Sequence, residues 1–68
     1  MFKGTIKKLI RNRGFGFISA EDGREIFFHR AEVVGVDFDS LHEGDLVTFG
    51  VEKGEKGLKA TNVSVSGT

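Results

Sequence analysis

The 68-residue sequence contains no cysteine, so neither disulfides nor thiolate-ligated zinc can staple it, and the redox state of its compartment is left open. Its longest apolar run falls far short of the roughly 20 residues that span a membrane, and no basic-then-apolar leader begins it. A soluble, cytoplasmic protein is expected. No stretch holds apolar positions at helical spacing with a cap at each end. Internal repeats, linkers and low-complexity tracts are missing too. The chain is short enough to form one domain, expected over residues 1–66, and at this size only ~60% of the surface exposed by the unfolded chain is buried. Packing and backbone pairing must supply all of its stability.

Net charge is lacking as well: ten basic and ten acidic residues cancel, unlike the bulk polycation of many nucleic-acid binders. The distribution is uneven. From residue 1 to 20 every charge is positive, carried by Lys3, Lys7, Lys8, Arg11 and Arg13, and from 31 to 52 every charge is negative, from Glu32 to Glu52. A folded domain with this polarity presents a basic face to an anionic partner, while the acidic remainder limits unspecific association. Two solvated faces without a partner are the plain alternative.

What is present is short alternating runs separated by glycine or charged turns, the pattern of an all-β chain. The first strand is expected over Phe2 to Ile10, the second over Gly14 to Ala20 and the third over Glu25 to His29. Between the last two, Glu21-Asp22-Gly23-Arg24 reads as a tight turn, because Asp-Gly supplies a positive φ cheaply. An irregular stretch from Arg30 to Asp45 follows, with Ala31-Glu32-Val33 a candidate single helical turn and Val33, Val34 and Leu41 available for packing. Connections this long are usually functional or wrap the core. Leu46 to Glu52 and Leu58 to Val65 supply the last two strands, Lys53 to Gly57 a mobile turn, and Ser66-Gly67-Thr68 a frayed end. Five short antiparallel strands with one long connection suggest a small closed or partly open barrel, closure being what removes exposed strand edges.

The aromatic residues carry the functional signal. In Gly14-Phe15-Gly16-Phe17-Ile18 and Ile26-Phe27-Phe28-His29, alternation places Ile18, Ile26 and Phe28 on one side and Phe15, Phe17, Phe27 and His29 on the other. A chain this small cannot bury both sides. The second set is then a solvent-facing platform, suited to stacking unpaired bases. Gly14 and Gly16 leave no side chain to hinder strand coiling and are expected to clear space beside the Phe15 ring.

Arg13 to Ile18 resembles the first ribonucleoprotein motif of RNA-binding sheets. The RRM that also carries it packs two helices behind its sheet, for which this sequence has no material. The chain as a whole, over about residues 2 to 64, instead resembles the cold-shock domain of bacterial cold-shock proteins. Ile26 to His29 matches the second ribonucleoprotein motif, and Phe38, Glu43-Gly44 and Ala60-Thr61-Asn62-Val63 match further positions. The resemblance implies a five-stranded antiparallel oligonucleotide-binding barrel in which Phe15, Phe17, Phe27, His29 and Phe38 stack on bases of single-stranded RNA or DNA, with Arg13 along the backbone. From the residues alone, a loop phenylalanine between Asp37 and Asp39 reads as a core anchor. The family's strand-one tryptophan is Lys8 here, its aromatic after the histidine is Arg30, and its strand-one asparagine is Ile10. Lys7, Lys8 and Arg30 join the expected interface through phosphate contacts, and Arg30 can also lie flat on a base.

No catalytic constellation is present. His29 lacks a nucleophile or second ligand nearby in sequence, and His42 reads as an exposed loop residue. Asp37, Asp39, Glu43 and Asp45 lack EF-hand spacing, and Gly54 and Gly57 lack the rest of a phosphate loop. The expectation is a non-enzymatic monomer without cofactor, metal or small-molecule substrate that binds single strands as an RNA chaperone or a transcription and translation modulator. The competing expectation is a protein-docking barrel that has lost nucleic-acid binding.

Overall fold

The computed structural model describes residues 2–55 and 57–66. Strands β1 (Phe2–Ile10), β2 (Phe15–Ala20), β3 (Glu25–His29), β4 (Leu46–Gly54) and β5 (Gly57–Val65) close into one barrel in the order β1-β2-β3-β5-β4. Every neighbouring pair is antiparallel except the closing seam, where β3 and β5 run parallel at Phe27 and Lys59. Short 3-10 turns at Arg30–Glu32 and Phe38–Ser40 interrupt the long connection. The first begins one residue before the turn expected at Ala31; the second was not anticipated. No described helix is long and apolar enough to cross a membrane.

Period-two alternation decides what is inside. Ile6, Ile18, Ile26, Phe28, Val47, Phe49 and Val63 are almost completely buried from five different strands. Strand β1 keeps its outer face polar by a bulge: Ile6 pairs with Ile18, but Lys8 pairs with Phe17, leaving Lys7 as the extra residue. Without that insertion Lys8 would share the inward face of Ile6; with it, Lys8 stands outside beside Phe17.

Gly16 faces inward, so the expected clearance beside Phe15 is used differently. A Cβ at Gly16 would lie 2.6 Å from the Lys8 carbonyl oxygen and 2.9 Å from the Phe28 ring. The missing side chain admits Phe28 to the barrel centre rather than a base to the outer surface. Gly14 has φ of +74°, a left-handed conformation that glycine adopts without steric cost.

The long connection wraps the core and covers the part of β1 that β4 leaves unpaired. Ile6 donates its backbone N–H to the Asp45 carbonyl at 3.0 Å and Gly44 donates to Ile6 at 2.7 Å. A Glu43 carboxylate oxygen accepts the Leu9 N–H at 3.3 Å, and the Arg11 guanidinium donates to the Leu41 carbonyl. The Leu41 side chain is fully buried beneath this cover. Val33 bridges Val63, whereas Val34 contributes its backbone, donating to Val63 at 2.9 Å while its side chain stays exposed.

At the β2–β3 turn Gly23 has φ of +91°, as the Asp-Gly pair requires. Asp22 accepts the Arg24 backbone N–H at 3.1 Å and its Nε–H at 2.7 Å, and these bonds hold the Asp22 carboxyl below its ordinary value. Strands β4 and β5 extend into the expected Lys53–Gly57 turn and pair at Gly54 and Gly57. Lys56 of that turn, and Gly67 and Thr68 of the expected frayed end, lie outside the described residues.

Phe28→Ala is expected to cost ~3–5 kcal/mol of stability as a fully buried aromatic. Gly16→Ala should cost ~1–3 kcal/mol by overpacking, since its methyl meets backbone on one side and Phe28 on the other. Urea unfolding measures both. A Gly16→Ala protein as stable as the parent would contradict the seating of Phe28 against this glycine.

Candidate nucleic-acid interface

With the inward positions of β2 and β3 occupied by Ile18, Ile26 and Phe28, the remaining aromatics have only the outer face. Register brings them together there: Phe17 pairs with Phe27 and Phe15 with His29. The Phe15 ring centroid lies 5.9 Å from Phe17 and 5.4 Å from Phe27, and Phe17 lies 6.1 Å from Phe27. Edge-on and tilted packing leaves each ring half-buried by its neighbours, with its remaining surface in water. The cluster therefore supports itself. Lys8 beside Phe17 and Lys59 beside Phe27 extend this cross-strand row with an exposed cation at each end.

His29 is exposed but held. Its Nδ1 accepts the Ala31 N–H at 3.1 Å, capping the Arg30–Glu32 turn, so the neutral ring carries its proton on Nε2 and presents a donor to solvent. Arg30 donates its backbone N–H to the Gly14 carbonyl at 2.8 Å and lays its stem over Gly14, with Cδ 3.0 Å from where a Cβ would stand. Its stem thus rests on Gly14 even though the residue is exposed. Arg13 is exposed in the β1–β2 turn. Lys7 pairs with Glu25 at 3.3 Å, both side chains about half exposed, so its charge is already partly spent locally.

Phe38 does not join this surface. It is 8% exposed and packs on Phe28 with centroids 6.0 Å apart, while still lining a concavity between Arg30 and Asp39. Phe38 packs here as the core anchor that its place between two aspartates suggests. Apolar surface has more to gain inside a thin core than on the rim.

Sequence reasoning missed Leu58 and Lys59. Together with Phe17, Phe27, Gly54 and Gly57 they line a cleft of about 560 Å³ between the platform and the β4–β5 hairpin. Alternation within β5 shows which residues share a face; it does not show that β5 closes against β3. Among the described residues, no group of three or more His, Cys, Asp or Glu side chains converges as a metal site.

A closed five-stranded barrel that turns an aromatic cluster outward between basic side chains is an oligonucleotide-binding barrel. Residues 2–66 match the family model of the 'Cold-shock' DNA-binding domain. The chain is 41% identical to a major cold shock protein of Streptococcus pyogenes over 94% of its own length and 96% of the relative's. It is 45% identical to the major cold shock protein CspA of Pseudomonas aeruginosa over 91% and 90% of the two lengths. Among solved structures it resembles Drosophila Unr CSD456, with a TM-score of 0.80 and 31% identity, covering 97% of this chain but 26% of that longer one. The chain belongs to the cold-shock domain family, which supports nucleic-acid binding in general.

Because the platform rings are only half-buried, Phe17→Ala and Phe27→Ala should each lower stability by ~1 kcal/mol, well below a fully buried ring. Thermal unfolding of these two variants side by side with Phe28→Ala tests the face assignment. Indistinguishable losses would show that inner and outer rings have been confused.

Proposed function

We propose that this chain is a non-enzymatic, monomeric cytoplasmic protein that binds single-stranded RNA or DNA by stacking bases on Phe15, Phe17, Phe27 and His29. Lys8, Arg13, Arg30 and Lys59 hold the phosphates, with Lys7 reaching them in competition with Glu25. The observation that carries this reading is the mutual packing of three outward phenylalanines, which keeps apolar rings at a surface where nothing in the fold requires them. Every base has a π-face, so such a surface tolerates many sequences, and each stacked base contributes ~1–3 kcal/mol. Binding unpaired strands in preference to paired ones shifts a folding nucleic acid towards its open form by mass action. That is the chemistry of an RNA chaperone or of a modulator of transcription and translation, and it needs no cofactor.

Phe15→Ala, Phe17→Ala and Phe27→Ala should each weaken binding of a labelled pyrimidine heptamer by ~1–3 kcal/mol, read by fluorescence anisotropy. Unchanged affinity in all three would remove the platform from the site. Across a salt series, the parent should show a log–log slope of about −1 to −3, at ~0.7 per phosphate contact on a single strand. Retained affinity with no slope would mean that the basic residues lie outside the footprint.

Lys8 stands next to Phe17 on the outer face, so a ring placed there extends the stacking surface by one position. Lys8→Trp is expected to tighten heptamer binding and flatten the salt slope, since a phosphate contact is exchanged for a ring worth ~1–3 kcal/mol. Weaker binding after this change would show that charge, rather than stacking, organises that end of the site.

A further inference from the structure

Beyond the platform, where β3 runs into the long connection, lies a second concavity of about 420 Å³. Arg30 reaches it from the end of β3, Asp37 and Asp39 from the loop that follows, and Val33, Val36 and Phe38 provide its apolar lining. The charged groups of this concavity are not in direct contact with one another. Among the described residues the ion pairs within 4.0 Å are Lys7 with Glu25 and Arg24 with Asp22, so Arg30 pairs with neither aspartate. Asp37 occupies the N-cap position of the Phe38–Ser40 turn, yet its side chain makes no capping hydrogen bond. Two acceptor-only carboxylates and a donor-only guanidinium therefore line one open, largely polar concavity without bonding one another.

Among the four bases, this set of groups selects one. Guanine alone offers two adjacent donors, N1–H and the 2-amino group, to a carboxylate, and its O6 and N7 accept from an arginine fork. Adenine and cytosine place a ring acceptor beside their single amino group, where a carboxylate is repelled, and the N3–H of uracil is flanked by two carbonyls. The geometry points to a guanine-selective subsite formed by Arg30, Asp37 and Asp39 at the end of the platform beyond Phe15 and His29. It rests on the stacking reading above, because the platform delivers the strand to the hollow. The Arg30 stem runs over the side-chain-free surface of Gly14 on its way to this concavity. The aspartates impose a preference that stacking alone lacks.

The test is anisotropy of the full chain with labelled uridine heptamers in which a single guanosine is scanned through every position, with inosine and adenosine in matched series. At one position guanosine should tighten binding about tenfold, the effect of a charge-assisted hydrogen bond. Inosine, which lacks the 2-amino group, should lose most of that gain, and adenosine should show none. The Asp37→Asn, Asp39→Asn double variant should lose the guanosine gain while binding the all-uridine heptamer at least as tightly as the parent. Binding of uridine without a guanosine gain at any position overturns the subsite and leaves the platform standing. A gain that inosine matches, or that survives in the double variant, also overturns it. Failure of the parent to bind any of these strands removes the stacking reading and the subsite together.

Discussion

The barrel interior has room for one set of strand faces, and the seating of Phe28 against Gly16 uses the middle of it. Every other placement follows from that constraint. Since a Cβ at residue 16 would collide with both the Phe28 ring and the Lys8 carbonyl, β2 passes close over the core with glycine inward. Phe15 and Phe17, one residue to either side, are then forced outward by the pleat. The same logic on β3 makes Phe28 core and Phe27 surface. The aromatic platform is in this sense the outer half of a packing solution whose inner half is a glycine and a phenylalanine.

Outward rings in water would ordinarily be an aggregation hazard. Three features limit it here. The rings pack edge-on and tilted against one another, so that each removes part of its neighbours' surface from solvent. Exposed cations at Lys8 and Lys59 end the row on either side, where a like-charged second copy is repelled. The long connection seals the part of β1 that β4 does not reach, through Asp45, Gly44, Glu43 and Leu41, so that stretch of β1 is not left as an open edge. The acidic segment of the sequence thus serves in part as backbone cover, with Glu43 accepting the Leu9 N–H.

Local pattern made much of this legible. Strand β1 and β3 boundaries, the Asp22-Gly23 turn and the division of Phe27 from Phe28 all follow from period-two alternation and turn chemistry, which act over a few residues. The features that alternation misses depend on partners distant in sequence. The bulge at Lys7 is visible only once Ile6 and Lys8 are seen to pair with consecutive residues of β2. The parallel seam of β3 with β5, which brings Leu58 and Lys59 to the platform, is a consequence of closure. For Phe38 the two readings bear on different contacts: its flanking aspartates mark it as a core anchor, and the structure packs it against Phe28, while the resemblance concerns its contact with a base.

Placing Lys8 and Arg30 where the cold-shock resemblance has rings changes the kind of affinity available as well as its amount. A single-strand phosphate contact that contributes ~0.7 to the salt slope is worth about 1 kcal/mol at 0.1 M salt relative to 1 M, and more as salt falls. A stacked ring is worth ~1–3 kcal/mol with little dependence on salt. Exchange of a ring for a cation therefore comes close to balance in dilute electrolyte and is a net loss in concentrated electrolyte. Phe15, Phe17 and Phe27 remain as the salt-independent part of the surface, and the cations at its margins become the adjustable part. On this division, the ionic strength around the protein sets how firmly it grips a strand, while the ring cluster sets that it grips unpaired bases at all.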